Sequence, residues 1–148
     1  MPMTTATIRL GFDSAHRLPN HHGKCANLHG HRYELEVTVT GDVKRQAGAS
    51  DNGMLCDFAE LKKTIKDCIV DPLDHKALLE VGDKCLTGDM PVIWFNDPPT
   101  AECLAQYIFD TLESEIRKDW ATLWVELHNV RLFETPNCWV DVTASCDE

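Results

Sequence analysis

The sequence predicts an α+β domain: an antiparallel four-stranded sheet with two helices packed on one of its faces. Three observations point there. Two segments near the start alternate apolar and polar residues with the period of two that marks a half-buried strand, over 7–16 and again after His31. Two segments, 57–71 and 100–118, repeat apolar residues at helical spacing. Two further alternating segments follow, over about 122–133 and 137–143, so the order reads strand, strand, helix, helix, strand, strand.

A chain of 148 residues is long enough for one domain with a proper core and too short to expect two, so 1–148 is read as a single unit. No run approaches the roughly 18 consecutive apolar residues of a membrane span. The start lacks a basic end followed by an apolar run, so no signal peptide is expected. Seven cysteines without a Cys-x-x-Cys pair suit a cytoplasmic protein with reduced thiols. A net charge of −10 argues against nucleic acid as a partner, which needs basic surface. It leaves room for a small phosphorylated substrate held by a few local cations.

In the first strand Ile8, Leu10 and Phe12 share one face, and Ser14 and His16 continue the same row. His16 therefore ends an inward-looking row. A polar loop over 17–27 carries His21, His22 and Cys25, with both histidines expected in solvent or behind the site. In the second strand Tyr33, Leu35, Val37 and Val39 continue the face of His31, with Arg32, Glu34, Glu36 and Thr38 opposite. The stretch 41–53 is read as a loop. Asp57 is a good N-cap, with Glu60 completing a near capping box, and Phe58, Leu61, Ile65, Cys68 and Ile69 form the buried stripe of the first helix. Pro72 is expected to end that helix at Asp71. Residues 79–90 read as a second polar loop and 91–95 as a brief apolar strand. Thr100 caps the second helix, whose inward residues are Ala101, Leu104, Ala105, Ile108, Leu112 and Ile116. The next strand alternates Leu123, Val125 and Leu127 with Trp124, Glu126 and His128. A turn over 134–137 leads to the last, with Cys138, Val140 and Val142 on one face.

The chemistry concentrates in Cys25-Ala-Asn-Leu-His29-Gly30-His31. His29 and His31 are two apart on a strand, so their imidazoles project to one face. Such a pair can supply two of the three protein ligands of a catalytic zinc, with His16 the candidate third and a water completing the open site. Gly30 leaves the opposite face clear. The spacing of Cys25 is not that of a structural zinc ribbon, so it reads as a reactive thiol. The adjacent Asp74 and His75 can orient one another or reach a thiol elsewhere. The competing class is a zinc-stabilised assembly module without turnover, which would need a closed four-ligand site with Cys25 or His22 as the fourth.

These motifs, with Pro99-Thr100-Ala101-Glu102 and Glu134 following in order, resemble the 6-pyruvoyltetrahydropterin synthase family over nearly the whole chain. Three residues between Cys25 and His29 are similar to its bacterial branch, the 6-carboxy-5,6,7,8-tetrahydropterin synthases of queuosine biosynthesis. The resemblance implies a tunnelling fold whose strands assemble into a barrel across the subunits of a homohexamer, with active sites between subunits. One site would then draw Cys25 and Glu134 from different chains. It implies Zn2+ on His16, His29 and His31, catalysis by Cys25 with Asp74 and His75, and substrate binding by Glu134, Thr100 and Glu102. The implied substrate is 7,8-dihydroneopterin triphosphate, giving the carboxypterin, acetaldehyde and triphosphate. The sister activity, which leaves a pyruvoyl side chain, uses the same residues. Arg17, Lys24, Arg32 and Lys76 are the cations nearest the motifs.

Overall fold

A computed structural model describes residues 2–120 and 124–146 of the chain. Strands β1 (Thr4–His16) and β2 (His29–Gly41) pair antiparallel along their whole length, from Thr4 opposite Gly41 to His16 opposite His29. A single 3-10 turn, Lys24–Ala26, lies in the loop between them. Helix α1 (Phe58–Ile65) runs through a π-helical turn (Lys66–Val70) into the short α2 (Asp71–Leu73). Strands β3 (Lys76–Glu80) and β4 (Val92–Phe95) follow, then α3 (Ala101–Asp119), β5 (Glu126–Thr135) and β6 (Cys138–Thr143).

The expected antiparallel four-stranded sheet is in fact a mixed sheet of six strands, in the order β4-β3-β1-β2-β5-β6. β3 lies parallel to β1 and β4 parallel to β3. The physical reason is that Ala77, Leu78 and Leu79 are all fully buried, so β3 has no exposed face to create alternation. Its residues are also good helix formers, and the pattern reads as neither element. The first helix likewise overruns its expected end. Pro72 sits in the first turn of α2, where a missing N–H costs little, and the helical path continues to Leu73.

One core joins the helices to one sheet face. Phe12, Tyr33, Leu35, Val37, Val130 and Leu132 from the strands meet Leu61, Ile65, Ile69, Leu104, Ile108 and Leu112 from the helices. The expected caps form: Asp57 accepts from the Ala59 N–H at 2.8 Å, and Thr100 Oγ1 from the Cys103 N–H at 3.1 Å. Phe58, assigned to the buried stripe, is instead exposed, whereas Phe109 is buried. The expected strand start at Thr122 and Leu123 lies outside the described residues, and Trp124 is exposed.

Among the described residues no helix covers the opposite sheet face. It bears cross-strand polar pairs instead: Arg9 with Glu36 at 3.0 Å, Arg131 with Asp141 at 2.8 Å, and Thr7 with Thr38 at 2.8 Å. Among the described residues no helix is long and apolar enough to cross a membrane.

Candidate metal centre and flanking clefts

Strand pairing assembles the three imidazoles. His16 stands directly opposite His29, and Ser14 opposite His31, so His31 is the diagonal neighbour of His16 on the same face. The ring centroids are 4.6 Å (His16–His29), 5.0 Å (His16–His31) and 4.9 Å (His29–His31) apart. One nitrogen from each ring lies within 4.8 Å of the others. His16 is buried at the end of the row Phe12, Ser14, His16, and the other two are half-buried.

The hydrogen bonds behind the rings fix what the front nitrogens can do. His16 Nδ1 is 2.7 Å from the Pro99 carbonyl and His29 Nδ1 is 2.6 Å from the Asn27 carbonyl. A carbonyl only accepts, so both Nδ1 atoms carry a proton, and in the neutral form of each ring Nε2 presents its lone pair. Those two Nε2 atoms face each other at 3.1 Å, which is repulsive unless a cation stands between them. Two nitrogens on a tetrahedral zinc, with bonds of about 2.0–2.1 Å, stand about 3.3 Å apart. His31 Nε2 is buried without a hydrogen-bond partner, with Glu134 Oε1 3.6 Å away. Burial, which disfavours the charged form, holds His16 and His31 below the ordinary histidine pKa, against the opposing pull of Glu134. The lowered pKa of His16 and His31, the carbonyl-anchored Nδ1–H groups and an orphaned buried nitrogen together fit a bound divalent metal.

Behind His16 the Tyr33 hydroxyl lies 3.3 Å from Nδ1, and its ring stacks on Phe12 at 5.1 Å. Burial pushes the Tyr33 pKa far up, so the hydroxyl stays neutral.

Asp74 and His75 follow α2 directly and are strapped to β1. Asp74 Oδ1 accepts the Asp13 N–H at 2.9 Å, the His75 N–H donates to the Asp13 carbonyl at 2.6 Å, and Ser14 Oγ donates to the Leu73 carbonyl at 2.6 Å. Asp74 Oδ2 lies 2.7 Å from His75 Nδ1. The Asp13 N–H, with His75 behind it, holds the Asp74 carboxyl below its usual pKa. His75 adopts φ +57°, a left-handed conformation uncommon for a side chain with a Cβ. An open cleft beside it is lined by Asp13, Ala15, Gly30, His31 and Met90.

Glu134, Thr100 and Glu102 line a different cleft, together with Leu18, Cys138 and Trp139. Thr100 uses its oxygen as the α3 cap, which leaves its O–H free to donate. Cys25 sits half-buried in the 3-10 turn, and its carbonyl accepts the Leu18 N–H at 2.7 Å. It joins neither the imidazole cluster nor the Asp13–Asp74–His75 cluster. His21 accepts the Gly23 N–H in solvent, and neither it nor His22 is in the cluster. A Cβ on Gly30 would make an ordinary 3.5 Å contact with the Ser14 carbonyl, so sterics there do not demand glycine.

Of the cations near the motifs, Arg17 is paired with Asp83, Arg32 with Asp13 and Glu34, and Lys76 donates to the Asp74 carbonyl. Sequence reasoning missed Tyr33, Ser14 and the Pro99 carbonyl. The two side chains lie on the inward rows already read, so parity could have found them. A backbone acceptor from a loop 83 residues away leaves no mark in a sequence.

A statistical description of the family named 6-pyruvoyl tetrahydropterin synthase matches residues 5–145. The chain is 34% identical over 150 residues to a 6-carboxy-5,6,7,8-tetrahydropterin synthase of Rickettsia bellii, covering 95% of this chain and all of that one. It is also 34% identical over 148 residues to a 6-pyruvoyl tetrahydrobiopterin synthase of Drosophila melanogaster, covering 91% of this chain and 76% of that one. In three dimensions it is similar to a 6-pyruvoyl tetrahydropterin synthase of Caenorhabditis elegans, with a TM-score of 0.71, 27% identity and 98% of each chain covered.

Proposed function

The chain belongs to the 6-pyruvoyl tetrahydropterin synthase family, and from that premise we propose that it is a zinc-dependent lyase. Its substrate is 7,8-dihydroneopterin triphosphate and its products are 6-carboxy-5,6,7,8-tetrahydropterin, acetaldehyde and triphosphate. The observation that carries the reading is the approach of Glu134 Oε1 to within 3.6 Å of His31 Nε2, at the edge of the three-imidazole cluster. A carboxylate there accepts two parallel N–H bonds from the guanidine-like edge of a pterin and brings the pterin side chain toward the imidazoles.

His16, His29 and His31 hold the zinc. Bound there, the metal supplies a Lewis acid that lowers the pKa of substrate side-chain hydroxyls and favours removal of a neighbouring proton. Glu134 fixes the ring, with Thr100 and Glu102 beside it in the same cleft. Cys25 takes the C–H proton and returns it. His75, itself oriented by Asp74, completes the proton relay with it.

The enzyme works as a cytoplasmic homohexamer in which one site draws on more than one chain. In support, His75 and Glu134 line separate clefts, and Cys25 is clustered with neither the Asp74–His75 pair nor the imidazoles. The helix-free sheet face is ion-paired, which suits the lining of a water-filled barrel better than a buried apolar interface. Gel filtration showing a fully active monomer would remove this part.

The carboxypterin product follows from the three-residue Cys25–His29 spacing, since identity to carboxy- and pyruvoyl-forming relatives is equal at 34%. The test is zinc-loaded protein incubated with 7,8-dihydroneopterin triphosphate and assayed for acetaldehyde, with Cys25→Ala alongside. Acetaldehyde from the wild type and little from the variant supports the proposal. A pyruvoyl pterin without acetaldehyde assigns the sister activity, and zinc binding without any reaction rejects an enzyme of this class.

A further inference from the structure

Arg17 follows His16 directly in the chain, and its guanidinium is already spoken for. Nε lies 2.8 Å from Asp83 Oδ2 and 3.0 Å from Oδ1, and a terminal nitrogen bonds Oδ1 as well. The Asp83 side chain is 1% exposed and that of Arg17 26%, so this is a shielded, two-pronged pair rather than a surface contact. The carboxylate also accepts the Cys85 N–H at 2.8 Å, and the Asp83 N–H donates to the Glu80 carbonyl at 3.0 Å. Asp83 is thus built into the start of the loop over 81–91, which Gly82 enters at φ +92°.

On the other side of the pair, the next residue, Leu18, has two attachments. Its N–H donates to the Cys25 carbonyl at 2.7 Å, and it lines the cleft of Thr100, Glu102 and Glu134. The stretch from His16 to Cys25 therefore connects one imidazole, the Glu134 cleft and the thiol. Elsewhere it is a polar loop whose own hydrogen bonds are short-range, such as His21 N–H to the Leu18 carbonyl at 2.9 Å. A guanidinium neutralised by a carboxylate presents no net positive field, which argues against Arg17 as a triphosphate ligand.

We propose that the Arg17–Asp83 pair is a latch that clamps the 81–91 loop against the His16–Cys25 stretch and so positions the Cys25 thiol for the reaction. Arg17 and Asp83 are positioning residues and touch no reacting atom. The inference rests on the function proposed above in giving Cys25 the proton-moving role.

The experiment compares zinc-loaded wild type, Arg17→Lys and Asp83→Asn. Arg17→Lys keeps the charge but loses the planar fork, and Asp83→Asn keeps the shape but loses the charge. Three quantities are read: kcat and KM with 7,8-dihydroneopterin triphosphate, the rate of iodoacetamide alkylation at Cys25 by peptide mapping, and zinc content. Release of the loop predicts that kcat falls about tenfold to a hundredfold while KM stays within about twofold. Cys25 alkylation rises by about threefold or more, because the turn opens locally, while the buried Cys56 stays protected and the zinc content is unchanged. A raised KM at unchanged kcat makes Arg17 an anion ligand and overturns the latch. Unchanged Cys25 alkylation overturns it too. Loss of zinc with Cys56 and Cys25 exposed together assigns the pair to global stability alone, which also overturns it. Wild type without turnover would sink the reaction proposed above, and the alkylation comparison would still decide on the latch.

Discussion

Ser14→Ala isolates the strap that holds Asp74 and His75. Three hydrogen bonds tie 73–75 to β1, and in one of them β1 contributes a side chain: Ser14 Oγ donates to the Leu73 carbonyl, at 2.6 Å and buried. The Leu73 carbonyl closes a helix, so it has no intrahelical partner and depends on this hydroxyl. Removing the hydroxyl leaves a buried acceptor unsatisfied, at about 1–3 kcal/mol, while the one lost oxygen creates almost no cavity. For a domain of this size 1 kcal/mol moves Tm by about 2–4 °C, so the expected drop is between about 2 and 12 °C. Because Asp74 is the next residue, kcat should also fall, by about tenfold, with the zinc content unchanged. Circular dichroism melts and the acetaldehyde assay read the two effects, and Ser14→Thr, which restores a hydroxyl on a strand, should recover most of both. A Ser14→Ala variant that melts within about 1 °C of wild type, a window set by the lower bound above, would show that water replaces the hydroxyl and that the strap argument is wrong.

Three further outcomes follow from the same geometry. Glu134→Gln keeps the shape but trades charge-assisted bonds, about 1.5–3 kcal/mol, for weaker ones, so KM should rise about tenfold or more; steady-state kinetics with unaltered KM would reject the pterin anchor. Chelation of zinc should abolish turnover and lower Tm while far-ultraviolet circular dichroism at about 25 °C stays native, because the core built on Phe12, Leu35, Leu61 and Ile108 does not run through the metal ligands; unfolding on chelation would favour a closed structural site. For the metal-free protein, burial depresses the folded pKa of His16 and His31 below 6.5, so the unfolded state binds protons more readily. Stability is then complete above about pH 6.5 and declines as pH falls from there toward the depressed values. Urea melts at intervals from about pH 8 down to about pH 5.5 check this, and stability that holds level or rises below about pH 6.5 contradicts it.

The alternation of β1 and β2 put His29 and His31 on one strand face and His16 at the end of an inward row, since a period of two is a property of any strand, and the pairing of the two strands then joined the three. It also placed Phe12, Tyr33, Leu35 and Val37 in the core, and the Asp57 and Thr100 caps are local chemistry that a sequence displays directly. What the sequence by itself determined, then, is the set of short-range facts: which side chains share a face, where two helices begin, and which motifs keep company in order. Tertiary structure decided the rest. β3 is invisible as a strand because burial on both faces erases alternation, and its parallel pairing with β1 sets Lys76 beside Ser14, far away in the chain. The Pro99 carbonyl that fixes the His16 tautomer, the Asp83 carboxylate that occupies Arg17, and the separation of Glu134 from His75 into two clefts all depend on long-range approach. A hydrogen bond between distant segments is set by where the chain returns, and no periodicity within either segment records that return.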